Sequence, residues 1–325
     1  MTAADSPTAP FNVRRFIARR VRFLIIALPL CCALLLIPWD GWLFELLRHF
    51  RVWCAVIGLG LALAALLLRE WRWAVAALLT GLWQGYPVYS YTTTKAVNAG
   101  NPQAQFSVLT CNLLWEFVDP QETIASLRKA NPDVIVFEEF TPNWQTILRK
   151  ELWEQYPHRV ERPMEGAFGI CLASRLPLEQ ARGFTDEAGF DSVSGVITVA
   201  GEKVGILGVH PLPPTSPAYF SDWRTSFRTW PSLLRQIQCN HRVLAGDFNS
   251  TPFCRAFSGL CSDAHLRDSA VGHGLANTWF PLPPPLGLPL DHVLISESLT
   301  ATDLEVGPDT GSDHRWVKAI LAVSK

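Results

Sequence analysis

Three stretches without a single charge dominate the first hundred residues: 23–39 (FLIIALPLCCALLLIPW), 52–68 (VWCAVIGLGLALAALLL) and 73–94 (WAVAALLTGLWQGYPVYSYTTT). At about 1.5 Å per helical residue, 17 residues cover roughly 25 Å, just enough to span hydrocarbon. Trp39, Trp42, Trp53, Trp71 and Trp73 stand at the edges of these runs, where interfacial aromatic belts form. Pro29 would kink the first run, which membrane helices tolerate. A signal peptide has one apolar region and a cleavage site. Three runs joined by short charged links instead predict a bundle of about three transmembrane helices in residues 1–94. The first link, DGWLFELLRHFR, is apolar enough to lie in the membrane interface. Residues 95–104 (KAVNAGNPQA) read as a linker.

The pattern then changes to short apolar runs bounded by polar residues. Strands are predicted at 105–111, 133–137, 169–173, 193–199, 204–209, 242–245, 293–296 and 316–323. Asp119, Pro120 and Glu122 open a helix that ends at Asn131-Pro132. A long amphipathic helix is predicted over 218–238. The Pro-rich stretch 280–289 reads as a loop. Strands outnumber helices and several are adjacent in sequence, which suggests α/β architecture with packed sheets and helices outside.

Composition sharpens this division. The 325 residues are 49% hydrophobic and 18% charged, with a net charge of −1. Those values exclude a disordered chain and a general polyanion binder. Eight cysteines are too few for a disulfide scaffold. The near-zero charge is a cancellation: residues 1–100 hold 10 Lys+Arg and 4 Asp+Glu, whereas residues 101–325 hold 18 and 25. A basic apolar head therefore precedes an acidic body of net −7. Arg14, Arg15, Arg19, Arg20, Arg22, Arg69 and Arg72 fall on one side of a three-span arrangement, with Arg48, Arg51 and Lys95 on the other. The N-terminus is then expected in the cytoplasm and the body outside it; if only two runs span, the body is cytoplasmic instead. The five body cysteines contain no CxxC pair, so no zinc site follows. An oxidising compartment would permit a Cys254–Cys261 bridge.

Polar residues recur where apolar strands end. Asn112 follows SVLTC, Glu138 and Glu139 follow DVIVF, His210 follows GILGV, and Asp247 and Asn249 follow RVLAG. Asp291 and His292 precede VLIS; Asp313 and His314 precede RWVKAIL. Strand ends converge on one rim. Carboxylates, amides and imidazoles gathered there suit a hard-oxygen metal site with acid–base groups beside it, and an anionic oxygen substrate such as a phosphate ester.

This order of motifs resembles the endonuclease/exonuclease/phosphatase superfamily, the deoxyribonuclease-I-like fold. The residues that carry the likeness are LTCNLLW, DVIVFEEF, GICLASRLPL, GVHPLPP, GDFNSTP, LDHVLIS and GSDHRW, across residues 105–325. The apolar head resembles a bacterial membrane-anchored subgroup. The resemblance implies a two-sheet α/β sandwich and a divalent metal, Mg²⁺ or Mn²⁺. It implies that Glu139 is the main metal ligand, with Asn112 supporting the metal site and Asp313 acidic beside it. Asp247 positions or activates the attacking water, and Asn249 contacts phosphate. His210 and His314 flank the scissile phosphate, and Asp291 orients His314. The chain departs from the pattern at Leu114, where some nucleases of the family carry an acidic residue, and at Glu138, where many relatives have Gln. Adjacent residues on a strand face opposite ways, so only one of Glu138 and Glu139 should bind metal.

The expected function is a membrane-anchored, metal-dependent phosphoesterase acting on a lipid, a small phosphoester or nucleic acid. Nucleic acid is disfavoured because the body is acidic, and Arg224, Arg228 and Arg235 form only a modest patch. The alternative is a catalytically silent binding module of the same fold. Trp115, Trp144, Trp153 and Trp279 are expected to pack rather than stack on bases.

Overall fold

The computed structural model describes residues 13–34, 41–94, 104–116, 119–279 and 287–323. The N-terminal helices are α1 (Val13–Leu34), α2 (Trp42–His49), α3 (Arg51–Leu67) and α4 (Trp71–Thr93). Two compact units emerge. One is built on α1, α3 and α4 up to Val88. The other takes α2, the end of α4 from Tyr89, and everything that follows.

Within the first unit α1 packs on α3, with Ile25, Ala65, Ala74 and Ala77 buried. An ion pair joins Arg22 to Glu70 at 2.5 Å. Gly58 and Gly81 let α3 and α4 touch through their backbones, since a Cβ on Gly58 would lie 2.8 Å from the Gly81 Cα. Most large apolar side chains here face outward, including Phe23, Leu30, Leu63, Leu67 and Leu79.

The three predicted spans need correction. Among the described residues no single helix is long and apolar enough to cross a membrane. Five arginines occupy the first half of α1, and the end of its apolar run, 35–39, lies outside the described residues. Helix α3 has only 17 residues, and Gln84 and Pro87 interrupt α4. Only α2 and α3 together pass that test, as a pair bent by 64°. The expected linker at 95–104 lies outside the described residues except for Ala104.

The second unit is an α/β sandwich. Its strands are β1 (Gln105–Asn112), β2 (Val134–Glu138), β3 (His158–Arg162), β4 (Ile170–Ser174), β5 (Glu179–Thr185), β6 (Asp191–Val199), β7 (Glu202–Val209), β8 (His241–Asp247), β9 (Leu266–Asp268), β10 (Asp291–Ser296), β11 (Leu299–Val306) and β12 (Val317–Val323). Its further helices are α5 (Pro120–Ala130), α6 (Pro142–Glu151), α7 (Pro217–Gln236) and α8 (Arg255–Ala264). One six-stranded sheet has the order β11-β12-β1-β2-β4-β3, the other β5-β6-β7-β8-β10-β9. Val108, Val136, Leu172, Val193, Ile206, Val243, Val293 and Leu321 fill the space between the sheets. Helices α5 and α6 cover the outer face of the first sheet, and α7 and α8 that of the second.

Local chemistry sets the helix starts. Asp119, Thr141 and Ser216 cap α5, α6 and α7 by accepting backbone N–H bonds, each followed by a proline at the first helical position. The long amphipathic helix falls at Pro217–Gln236, as its periodicity predicts.

Topology decides where the functional side chains meet. Strands β1 and β2 run parallel, as do β7 and β8, so their C-terminal ends share one edge. Strands β10 and β12 run antiparallel to β8 and β1, which brings their N-terminal ends to that edge. Asp291 lies directly opposite Asp247 in the register. Gly246 permits the turn into this edge: its φ is +153°, and a Cβ there would sit 1.9 Å from the Val209 carbonyl oxygen.

Candidate active site

Asp291 and Asp247 are almost fully buried, with His314 between them. His314 Nδ1 is 2.8 Å from Asp291 Oδ2, and its Nε2 is 3.6 Å from Asp247 Oδ2. His210 Nε2 approaches the same Asp247 oxygen from another side, also at 3.6 Å. Both imidazoles thus flank the carboxylate without closing on it. Asn112 Nδ2 donates to Asp247 Oδ2 at 3.2 Å and to Glu139 Oε1 at 3.0 Å, tying β1, β2 and β8 together. Asn112 Oδ1 accepts from the Leu114 N–H. Glu139 Oε2 accepts from the Trp115 N–H at 2.6 Å.

Electrostatics follow from this packing. Burial works against a charged His314, yet the Asp291 and Asp247 carboxylates outweigh it and push the imidazole up to about 10. Burial likewise opposes ionisation of Asp247, but His314, His210 and the Asn249 N–H hold it down to about 2. His210 is raised by Asp247 and Glu139 against the cost of burial. Glu139 is raised chiefly by burial, with His210 and its hydrogen bonds opposing. The centre is therefore an ionised Asp247 carboxylate flanked by two imidazoles whose charged forms it favours.

Every residue expected at the site reaches the same edge. Asn249 (φ +49°) donates its backbone N–H to Asp247 Oδ1 and its amide to the Pro211 carbonyl. Asp313 Oδ2 accepts from Trp279 Nε1 at 3.3 Å. Glu139, His210, Asp247, Asn249, Asp313 and His314 line one cleft of about 630 Å³. Glu138 turns away: it is fully buried, accepts from Thr110 Oγ1 at 2.6 Å, and is pushed well up by burial. Glu139, at φ +55°, leaves the strand conformation and faces the cleft. His292 also turns away and bonds Asp268 at 2.9 Å. Arg175 sits by Val134, at the far end of β2 from Glu138, where it bonds Asn131 and stacks on Tyr156. Cys254 and Cys261 are both free thiols.

The donor set fits a hard divalent cation. Asp247, Asp291 and His314 each offer a ligand atom, and these atoms lie within 4.8 Å of one another. His314 Nδ1 is already engaged by Asp291, and its Nε2 faces Asp247 at 3.6 Å. Glu139 and Asp313 supply carboxylate oxygens in the same cleft, and oxygen ligands are what Mg²⁺ and Mn²⁺ prefer.

Other contributors act through backbone groups or the cleft wall. Thr278 Oγ1 accepts from the Leu290 and Asp291 N–H groups and so fixes the start of β10. Ser312 Oγ donates to the Asn112 carbonyl and accepts from the His314 N–H, joining the last motif to the first. Trp144 and Trp153 pack in the core as expected, whereas Trp115 and Trp279 line the cleft. Helix α2 supplies Leu46 and His49 to the cleft wall, with Phe50 just after it. Burial pushes His49 down to about 4, so it is neutral there. The interfacial reading of this link missed its buried side: Glu45 and Arg48 pair at 2.5 Å, and Glu45 accepts the Ala256 N–H at the start of α8.

A family model, the Endonuclease/Exonuclease/phosphatase family, matches residues 109–314. The chain belongs to this family. Members are phosphoester hydrolases, and the match runs from the first motif to His314. No curated protein sequence matches the chain. Solved structures share the fold at low identity. An endonuclease/exonuclease/phosphatase from Beutenbergia cavernae has 19% identity and a TM-score of 0.54, covering 68% of this chain and 72% of that one. D. rerio TDP2, complexed with a single-strand DNA product, has 14% identity and a TM-score of 0.56, covering 67% and 99%. A 3′ phosphatase from Neisseria, bound to a product DNA hairpin, has 20% identity and a TM-score of 0.52, covering 66% and 98%.

Proposed function

We propose that the protein is a divalent-metal-dependent phosphoesterase that hydrolyses a phosphodiester or phosphomonoester by water attack. The observation that carries this reading is the buried Asp291–His314–Asp247 arrangement, which opens onto the cleft lined by Glu139, Asn249 and Asp313. Asp247, ionised, orients a water by accepting its hydrogen bond. His314, charged, and His210 beside it donate to phosphoryl oxygens and offset charge that grows in the transition state. Asn249 has a second amide hydrogen free to donate to phosphate. Asp291 holds His314 in position and keeps it charged. Mg²⁺ or Mn²⁺ held by Glu139, with Asp313 beside it and Asn112 supporting, would polarise a phosphoryl oxygen and lower the pKa of bound water.

The protein is further proposed to be held at a bacterial inner membrane by the apolar faces of α1, α3 and α4, with the catalytic unit on the extracytoplasmic side. The outward apolar side chains of these helices and the basic N-terminal flank support this. The acidic body disfavours nucleic acid as the substrate.

The test uses the full-length protein in detergent with bis(p-nitrophenyl) phosphate and p-nitrophenyl phosphate. We expect p-nitrophenol release that needs Mg²⁺ or Mn²⁺ and collapses in Asp247→Ala and His314→Ala. Full activity in either variant overturns the reading.

A further inference from the structure

We infer that the substrate is a membrane amphiphile, a phosphoester of a bilayer lipid whose apolar chain lies in a trough that α2 helps to build. The inference rests on the phosphoesterase reading above and names its substrate class. The first observation is the composition of the cleft. Its floor holds the phosphoester chemistry, but Leu46, Phe50, Trp115, Leu212, Pro213 and Tyr219 make up much of its wall. A nucleoside or polyol phosphate presents hydroxyls and base edges that need polar partners. This wall offers them carbon. An acyl or alkyl chain loses nothing by lying there.

The second observation is that α2 is inside out. Glu45, Arg48 and His49 are buried at 3%, 2% and 5% exposure, while Leu43, Leu47 and Phe50 are exposed at 57%, 40% and 40%. Positions 43, 47 and 50 follow i, i+4, i+7 spacing and form one stripe. Water-facing helices show the reverse arrangement. The buried Glu45 carboxylate pairs with Arg48 of the same helix and accepts the Ala256 N–H at the start of α8. Trp42 adds a hydrogen bond to the Pro214 carbonyl, beside the cleft wall. The outward stripe therefore matches an apolar medium rather than water.

The third observation is continuity. Phe50 belongs both to the outward stripe and to the cleft lining, and Trp115 and Tyr219, exposed at 48% and 46%, share the lining with it. An apolar path thus runs from the outer face of α2 to the carboxylates and imidazoles. A lipid could enter by this path with its chain against carbon throughout and its phosphate arriving at His314 and Asp247. The chain also passes from Phe50 directly into the apolar α3.

The experiment measures kcat/KM for a series of alkyl p-nitrophenyl phosphates, methyl to octyl, kept below micelle-forming concentrations. The full-length protein is held in amphipol with Mg²⁺. We expect kcat/KM to rise by roughly two- to four-fold per methylene over the first few carbons, the range that burial of a CH₂ group supports. Phe50→Ser and Leu46→Ser should each lower the octyl-to-methyl ratio by about tenfold; a ratio is insensitive to the fraction of folded enzyme. A wild-type ratio near one, with the methyl ester turned over, overturns the inference and leaves the phosphoesterase reading standing. An unchanged ratio in both variants overturns the assignment of the trough to α2. No hydrolysis of any ester with Mg²⁺ or Mn²⁺ overturns the phosphoesterase reading, and the inference falls with it.

Discussion

Asp291 Oδ2 holds His314 Nδ1 at 2.8 Å, which turns Nε2 of the same ring toward Asp247. A carboxylate behind an imidazole fixes its orientation and stabilises its charged form. In Asp291→Asn the geometry is nearly kept but the charge is lost. His314 should then titrate well below about 10. We expect kcat to fall by on the order of 10²–10⁴-fold, and activity to be lost at lower pH than in the wild type. A pH–rate profile checks both.

Glu139 is held in the cleft by Asn112 Nδ2 and the Trp115 N–H. Glu139→Gln keeps the shape and removes the charge. The Kd for Mn²⁺, measured by calorimetry on the full-length protein, should rise at least about tenfold, as losses in a metal site do. Chelation by EDTA should abolish wild-type turnover, and added Mg²⁺ should restore it.

Glu45 and Arg48 form a buried ion pair whose carboxylate also caps α8. Glu45→Ala leaves a buried guanidinium without its counter-charge. Such a break costs about 3–5 kcal/mol, so the thermal unfolding midpoint should drop by several degrees. Replacing both residues, Glu45→Ala with Arg48→Met, should recover most of the loss.

His292 faces acceptors at both ring nitrogens: Asp268 at Nδ1, and the carbonyls of Ser250 and Pro289 at Nε2. It therefore carries both protons. Burial opposes this charge, but Asp268 raises His292 above its ordinary value. Asp268 is held below its ordinary value by His292 and its hydrogen bonds, against burial. A raised histidine stabilises fully below its unfolded pKa of about 6.5 and loses that contribution as pH rises through its folded value. A depressed carboxylate stabilises above about 3.9 and loses it as pH falls through its folded value. The pair is thus worth most between about pH 4 and 6.5. The stability difference between wild type and His292→Gln should be largest in that window and shrink toward alkaline pH, as followed by thermal unfolding across pH.

Central strands were readable because they are continuous apolar runs; β2 and β8 differ from their predicted bounds by only a residue or two. Edge strands were not. The sequences HRVER of β3 and EQARGFT of β5 lie half-buried or exposed and lack the pattern that burial imposes. The site was legible because its residues sit where apolar runs stop, so Glu139 and Asp247 could be placed without coordinates. The roles of Thr278 and Ser312 could not, since Thr278 meets the Leu290 and Asp291 N–H groups, and Ser312 the Asn112 carbonyl, only in the folded chain. Helix α2 was read only in part for a related reason: its apolar residues are conspicuous in sequence, but the Glu45 and Arg48 side that holds it to α8 is visible only in the packed chain.

Tyr91, near the end of α4, donates its hydroxyl to Asp268 Oδ2 at 2.7 Å, the carboxylate that holds His292 next to Asp291. With α2 against α8, this means that the enzyme does not begin where its first strand begins. A chain cut before Gln105 would retain every catalytic side chain yet lack part of its cleft wall and the hydroxyl behind its histidine support. Kinetics from such a truncation would describe an opened pocket with altered selectivity.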